Sequence, residues 1–114
     1  MSQKDEQDTL ESIFRIQREY VGMLDLSRYP NVKEDRISVL CTAIIHEAVE
    51  LQRTTSWKWW KKKNFDITHA KEELIDLWHF IIQASIEMDM GPKEILHEYA
   101  KKNKVNRRRE QNGY

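Results

Sequence analysis

Glycine and proline interrupt this chain rarely, with 3 glycines and 2 prolines in 114 residues. Both break regular helices, glycine through its conformational entropy and proline through its missing amide hydrogen. A chain that so nearly avoids them, and in which 33% of residues are charged, suits long helices with solvated outer faces. The clearest breaks are Tyr29-Pro30-Asn31 and Gly91-Pro92.

Between the breaks, apolar residues recur at helical spacing. Leu10, Ile13, Phe14, Val21 and Leu24 mark a first helix over about 9–27, opened by Asp8 with Glu11 as a capping box. Ile37, Leu40, Cys41, Ile44, Ala48 and Leu51 mark a second over about 32–54, with Asn31 and Glu34 as another capping box. Ala70, Leu74, Leu77, Ile81 and Met88 mark a third, capped by Asp66 or Thr68 and stopped by Gly91. Pro92 opens a short fourth helix with Ile95, Leu96 and Tyr99, which dissolves into a polar tail from Asn103 to Tyr114. The expected architecture is all-α, a four-helix bundle with two long central helices. One domain is expected over 1–114, with residues 1–8 and the tail from about 103 flexible without ligand. Ile45, Val49, Ile82 and Ile86 fall beyond a single stripe. They predict a second buried face and an oligomer, at least a homodimer.

Charge and cysteine usage narrow the function classes. The 19 basic and 19 acidic residues balance, so no global field draws the chain to nucleic acid or an anionic membrane. A local basic arm does exist, from Lys101 to Arg109. Cys41 is the single cysteine, which rules out an internal disulfide and fits a reducing cytoplasm. No apolar run approaches the ~20 residues that span a bilayer, and Met1 to Asp8 is polar, unlike a signal peptide. A cytoplasmic protein without a membrane or stable nucleic-acid partner is expected.

Two acid pairs carry the chemistry. Glu47-x-x-Glu50 lies on the second helix and Glu73-x-x-Asp76 on the third. Residues three apart are neighbours on a helix surface, so each pair presents two carboxylates to one point. Such pairs also occur on solvated helix faces; these stand at the edge of the core-facing stripes. Antiparallel return of the third helix sets the pairs opposite each other. Converging carboxylates repel, and a hard divalent cation such as magnesium relieves the repulsion. Between the helices, Trp57-Lys58-Trp59-Trp60-Lys61-Lys62-Lys63 reads as an irregular segment whose exposed tryptophans need burial, a partner or a base.

Two other readings use overlapping residues. Asp76-x-x-His79 and Glu94-x-x-His97, with Glu50 and Glu19, have the outline of a di-iron carboxylate bundle. The Trp/Lys segment and the arginine tail have that of a nucleic-acid-binding module, against which the balanced charge argues. His46-Glu47 starts like a zinc-protease helix, but Glu50 stands where the second histidine belongs.

The acid pairs together resemble the magnesium-binding pattern of the all-α nucleoside triphosphate pyrophosphatases, the superfamily of MazG-type enzymes and dimeric dUTPases. His79 three residues after Asp76, the tail from Lys102 to Gly113-Tyr114 and the Trp57–Lys61 segment match that pattern too. The resemblance covers about residues 10–114 and implies hydrolysis between the α and β phosphates, releasing a monophosphate and pyrophosphate. It implies that Glu47, Glu50, Glu73 and Asp76 hold two or more magnesium ions, for which manganese can substitute. Glu47 would orient or deprotonate water, and the protein would work as a homodimer or homotetramer. Gln17 matches a glutamine that faces uracil. Tyr20 departs from the asparagine of the dimeric dUTPase pattern, which leaves dCTP or a broader set of deoxynucleotides beside dUTP as the first expectation. His79 and Asn106 would meet base or sugar, and Trp59 or Trp60 would stack on the base. Lys61, Lys62, Lys104, Arg107 and Tyr114 would take the phosphates, with Asn103 beside them in the substrate site.

Overall fold

A computed structural model of the chain describes residues 8–113, and these form four helices and no strand. They are α1 (Thr9–Gly22), α2 (Lys33–Arg53), α3 (Ile67–Glu87) and α4 (Pro92–Gln111). The all-α expectation holds. Asp8 caps α1 by accepting from the Glu11 amide at 3.1 Å, and Asp66 caps α3 by accepting from the His69 amide at 3.2 Å. Both satisfy donors that a helix start leaves without partners. Pro92 occupies the first turn of α4, as expected.

Several boundaries differ from the sequence reading. The first helix ends at Gly22, well before residue 27. Glycine is a weak helix former, and just beyond it the Asp25 side chain captures the Ser27 amide at 3.0 Å, a local turn that competes with helix. The Asn31–Glu34 capping box does not form. Val32 is the N-cap without a side-chain cap, and the Asn31 carbonyl instead accepts from Arg36 at 3.1 Å. Gly91 does not close α3 either. Asp89 does, at φ 56°. The Met90 amide reaches back to the Ser85 carbonyl (2.9 Å) and the Asp89 amide to that of Ile86 (3.0 Å), the hydrogen bonds of a Schellman motif. Gly91 is extended and serves as N-cap of α4.

The fourth helix does not stop near Asn103 but continues to Gln111. No apolar stripe marks its second half, so periodicity had nothing to register. Lys, Arg, Glu and Gln are good helix formers, and Arg108 and Arg109 stand in the last turn, where cations favour the helix dipole. The expectations that concern residues 1–7 and Tyr114 lie outside the described residues.

Packing centres on α2 against α3; α1 lies on α3 and touches α4, and α4 has no contact with α2 or α3. The buried apolar side chains among the described residues are Phe14, Leu40, Ala70 and Ile82. This core is small. Cys41, Ala48, Leu74, Ile81 and Met88, assigned from periodicity to core stripes, are exposed in the single chain. Of the second apolar face, Ile45 and Val49 are exposed, whereas Ile82 is buried and Ile86 half-buried within the chain.

Buried polar groups tie three elements together. Gln17 of α1 donates from Nε2 to Gln83 Oε1 of α3 at 2.8 Å. Gln83 Nε2 faces Glu87 Oε1 at 3.4 Å, and the Tyr29 hydroxyl donates to that same oxygen at 3.1 Å. Arg36 of α2 donates from Nε to Glu87 Oε2 at 2.8 Å, and from Nη1 to the Pro30 and Asn31 carbonyls. Burial, then the charge of Glu87 and the hydrogen bond to it, hold the Tyr29 hydroxyl above its ordinary value of 10.0, with Arg36 and Gln83 pulling the other way. The folded state therefore favours the protonated phenol. Its contribution is complete below pH 10.0, the ordinary value, and is lost as pH rises through the higher folded value. Urea melts followed by circular dichroism should show a shallower alkaline loss of stability in Tyr29→Phe than in the parent.

Candidate active site

The antiparallel return of α3 along α2 brings acids from both helices together. Glu47, Glu73 and Asp76 each offer a carboxylate oxygen, and these oxygens lie within 4.8 Å of one another. Glu47 and Glu73 are half-buried and Asp76 is exposed, so the trio lines the edge of the helix pair. Desolvation by burial, followed by the charges of Asp76, Glu73 and Glu50, raises the Glu47 carboxyl above the usual carboxylate value. The His69 ring nitrogen Nε2 lies 3.1 Å from Glu73 Oε1, one turn earlier on α3.

Glu50, the fourth acid of the pattern, is not among the three. Its carboxylate accepts from Arg53 at 3.3 Å on the exposed face of α2. Arg53 also borders the segment that follows, where a cavity of about 350 Å³ is lined by Trp57, Lys58, Lys61, Lys62 and Lys63 as well. The segment is irregular, as expected. Ser56 Oγ donates to the Lys63 carbonyl at 2.5 Å, and Lys63 Nζ donates to the Arg53 carbonyl. Trp59 is 86% exposed and packs edge-on against Trp60 at 5.8 Å between ring centroids.

The proposed base contacts sit one turn along α3 from the acids. Tyr20 of α1 meets His79 edge-on at 5.4 Å, and His79 meets Phe80 at 4.9 Å. Gln17, Tyr20, Leu40, His79, Phe80 and Gln83 are among the residues lining a cavity of about 150 Å³. Gln17 and His79 also border a second, apolar cavity of about 360 Å³ with Ile13, Ile16, Ile75 and Trp78. So Gln17, Tyr20 and His79 are brought together. Asn103, Lys104, Asn106 and Arg107 are not brought to them, because all four are exposed on α4, which touches only α1. The same placement separates Glu94 and His97 from Asp76, so the ligand set of a di-iron bundle is not assembled. Tyr114 lies outside the described residues.

The sequence reading missed Gln83, Glu87 and Arg36. A signal existed: Asp76, His79, Gln83 and Glu87 follow one another at spacings of three or four along α3, one continuous polar line that runs from an exposed acid to the buried Gln83.

The trio fits a hard divalent cation. Its donors are all carboxylate oxygens, its members come from two helices already packed together, and their mutual repulsion falls when a cation is shared. Calorimetric titration with magnesium should show that Glu47→Gln, Glu73→Gln and Asp76→Asn each weaken binding at least as much as the ~10–100-fold typical of losing an outer-shell partner. Helix content should be retained.

A curated relative, the dCTP pyrophosphatase of Enterobacteria phage T4, is 31% identical over 78 residues, covering 57% of this chain and 46% of the relative. The chain thus spans less than half the length of that relative. No solved structure matches. The family model described as dUTPase matches residues 9–95, which hold α1, the acids of α2 and α3 and the cavity lined by Gln17, Tyr20 and His79, but not the basic end of α4. On that match, which takes in most of the chain, the protein belongs to the dUTPase family.

Proposed function

We propose that the chain is a magnesium-dependent nucleotide pyrophosphohydrolase that converts dUTP and water to dUMP and pyrophosphate. The observation that carries this reading is the convergence of Glu47, Glu73 and Asp76, one helical turn along α3 from the cavity that His79 lines, in a chain of the dUTPase family. Glu47, Glu73 and Asp76 would hold the cation, which when bound supplies charge neutralisation for the triphosphate and acidifies water. Glu50 would join them by leaving Arg53, a small cost because exposed pairs are worth about 0–1 kcal/mol. Arg53, once released, stands beside Lys61 and Lys62 on the cationic cavity, where phosphate oxygens would be received. Glu47, which faces both acids of α3, would orient water and take its proton. Gln17, Tyr20 and His79 would receive the base, and Trp59 or Trp60 would stack on it.

The T4 relative's name supports dCTP as a second reading. Pyrophosphate release from a panel of common nucleoside triphosphates plus dUTP, with magnesium and with EDTA, separates the two. The expected result is magnesium-dependent cleavage of dUTP, abolished in Glu50→Gln and in Asp76→Asn. Full activity in either variant would remove these acids from the site.

An oligomer belongs to the same proposal. Ile45 and Ile75 are each 63% exposed, and Ile16, Leu74 and Trp78 lie open with them, while the buried core is small. Leaving so much apolar surface in water is unusual for a monomer. With α4 held away from α2 and α3, its Asn103, Lys104, Asn106 and Arg107 would serve a neighbouring copy's acids. Light scattering at micromolar concentration should give at least a dimer, and Ile45→Lys with Ile75→Lys should lower the mass to that of one chain.

A further inference from the structure

The polar line that begins at Asp76 ends in a chain of hydrogen bonds with a fixed direction. Glu87 is a carboxylate paired with Arg36, and its oxygens accept but do not donate. Its Oε1 faces the Gln83 side chain, so Gln83 must turn its NH2 toward Glu87. That leaves Gln83 Oε1 pointing at Gln17, 2.8 Å from it, and Gln17 must answer with its own NH2. An amide whose nitrogen is committed in this way presents its oxygen on the other side. Gln17 Oε1 has no protein donor among the described residues, yet no fully buried side-chain oxygen or nitrogen lacks a partner, so this oxygen is open to a ligand. Gln17 lines the cavity that also holds Tyr20 and His79. Amide orientation is invisible in electron density alone and is decided by the partners. Here the deciding partner is a carboxylate two residues removed along the hydrogen-bond chain.

We propose that Gln83, anchored by Glu87, is a positioning residue that sets the hydrogen-bond sense of the base cavity, holding the Gln17 oxygen outward to accept an N–H from the base. A ring that carries hydrogen on its edge nitrogen, as uracil does, satisfies that oxygen. A ring whose edge nitrogen is bare, as in cytosine, sets one acceptor against another at that position, and its amino group reaches the oxygen only if the ring shifts from the place uracil takes. The inference rests on the nucleotide-hydrolase reading above and adds to it the device that selects the base. With Gln83 replaced by an apolar residue the Gln17 amide is free to turn over, and the discrimination relaxes.

The test compares kcat and KM for dUTP and dCTP in the parent, in Gln83→Leu and in the exchange variant Gln83→Glu/Glu87→Gln. In the exchange variant the carboxylate at position 83 accepts from the Gln17 amide, so the Gln17 nitrogen is still drawn inward and the net charge is unchanged; the exchange gives up the Arg36–Glu87 ion pair, so the variant is assayed below the melting temperature its circular dichroism gives. Expected are a parent that prefers dUTP and a Gln83→Leu variant whose dUTP-to-dCTP ratio of kcat/KM falls about tenfold, the weight of roughly one hydrogen bond. The loss should lie in KM for dUTP, with kcat held, and the exchange variant should keep the parent's ratio. A merely structural Gln83 would lower both substrates together and leave the ratio unchanged; that result, or a parent that prefers dCTP, overturns the inference while leaving the hydrolase reading intact. A Gln83→Leu chain too unstable to assay leaves the exchange variant to decide, and loss of the ratio there overturns the inference as well. A parent that cleaves no triphosphate in the panel overturns the hydrolase reading and this inference with it.

Discussion

Glu87 is the carboxylate around which the packing of this chain is organised. It stands near the C-terminal end of α3, and its side chain is only 13% exposed. Arg36 reaches it from α2, Tyr29 from the connection between α1 and α2, and Gln83 links it onward to Gln17 of α1. A carboxylate this sheltered is stabilising only while its donors remain, and breaking this part-buried pair costs more than the about 0–1 kcal/mol of an exposed one and less than the about 3–5 kcal/mol of a fully buried one. With an apolar core as small as Phe14, Leu40, Ala70 and Ile82, such a sum is a large share of what holds a domain of this size together. The polar network does what dispersion alone does not do here: it fixes the rotation of α1 and α2 about α3.

That rotation is what makes the acid trio. Glu47 meets Glu73 and Asp76 because α2 and α3 present particular faces to each other, and the Arg36–Glu87 pair locks those faces at the far end of the same two helices. The acid trio and the cavity lined by Gln17, Tyr20 and His79 are therefore not separate inventions on a neutral scaffold. They are successive stations on one flank of α3, with charge at one end, a shaped cavity in the middle and the structural anchor at the other end. The exposed apolar surface of Ile45, Leu74, Ile75 and Trp78 is the complement of this arrangement, since a helix pair that spends one flank on polar chemistry has little left to bury within a single chain.

Much of this was legible in the sequence. Asp8, Asp66 and Pro92 announced their helix starts because capping is local chemistry, and the acid pairs were readable because i, i+3 spacing is fixed by helix geometry. Periodicity failed in two ways. On α3 it marked Leu74, Ile81 and Met88 as core, because a helix with apolar residues on two faces does not reveal which face its own chain covers. On α4 it gave no signal past Tyr99, because a helix that is polar all round has no stripe. Asp89 was missed as the stop of α3 because glycine is the ordinary resident of a left-handed position, and Gly91 stood nearby. The Gln17–Gln83–Glu87 chain was unreadable for a different reason: Gln17 and Gln83 are sixty-six positions apart, and nothing local to either names the other.

The left-handed Asp89 has a consequence of its own. Its carboxylate meets Lys33 at 2.6 Å, joining the end of α3 to the start of α2, with both side chains in solvent. The corner is thus held partly by an attraction that mobile ions weaken, whereas the sheltered Arg36–Glu87 pair one turn away is far less open to them. Rising ionic strength therefore acts unevenly on this fold. It weakens the tie between the end of α3 and the start of α2, while the faces that form the acid trio stay in register.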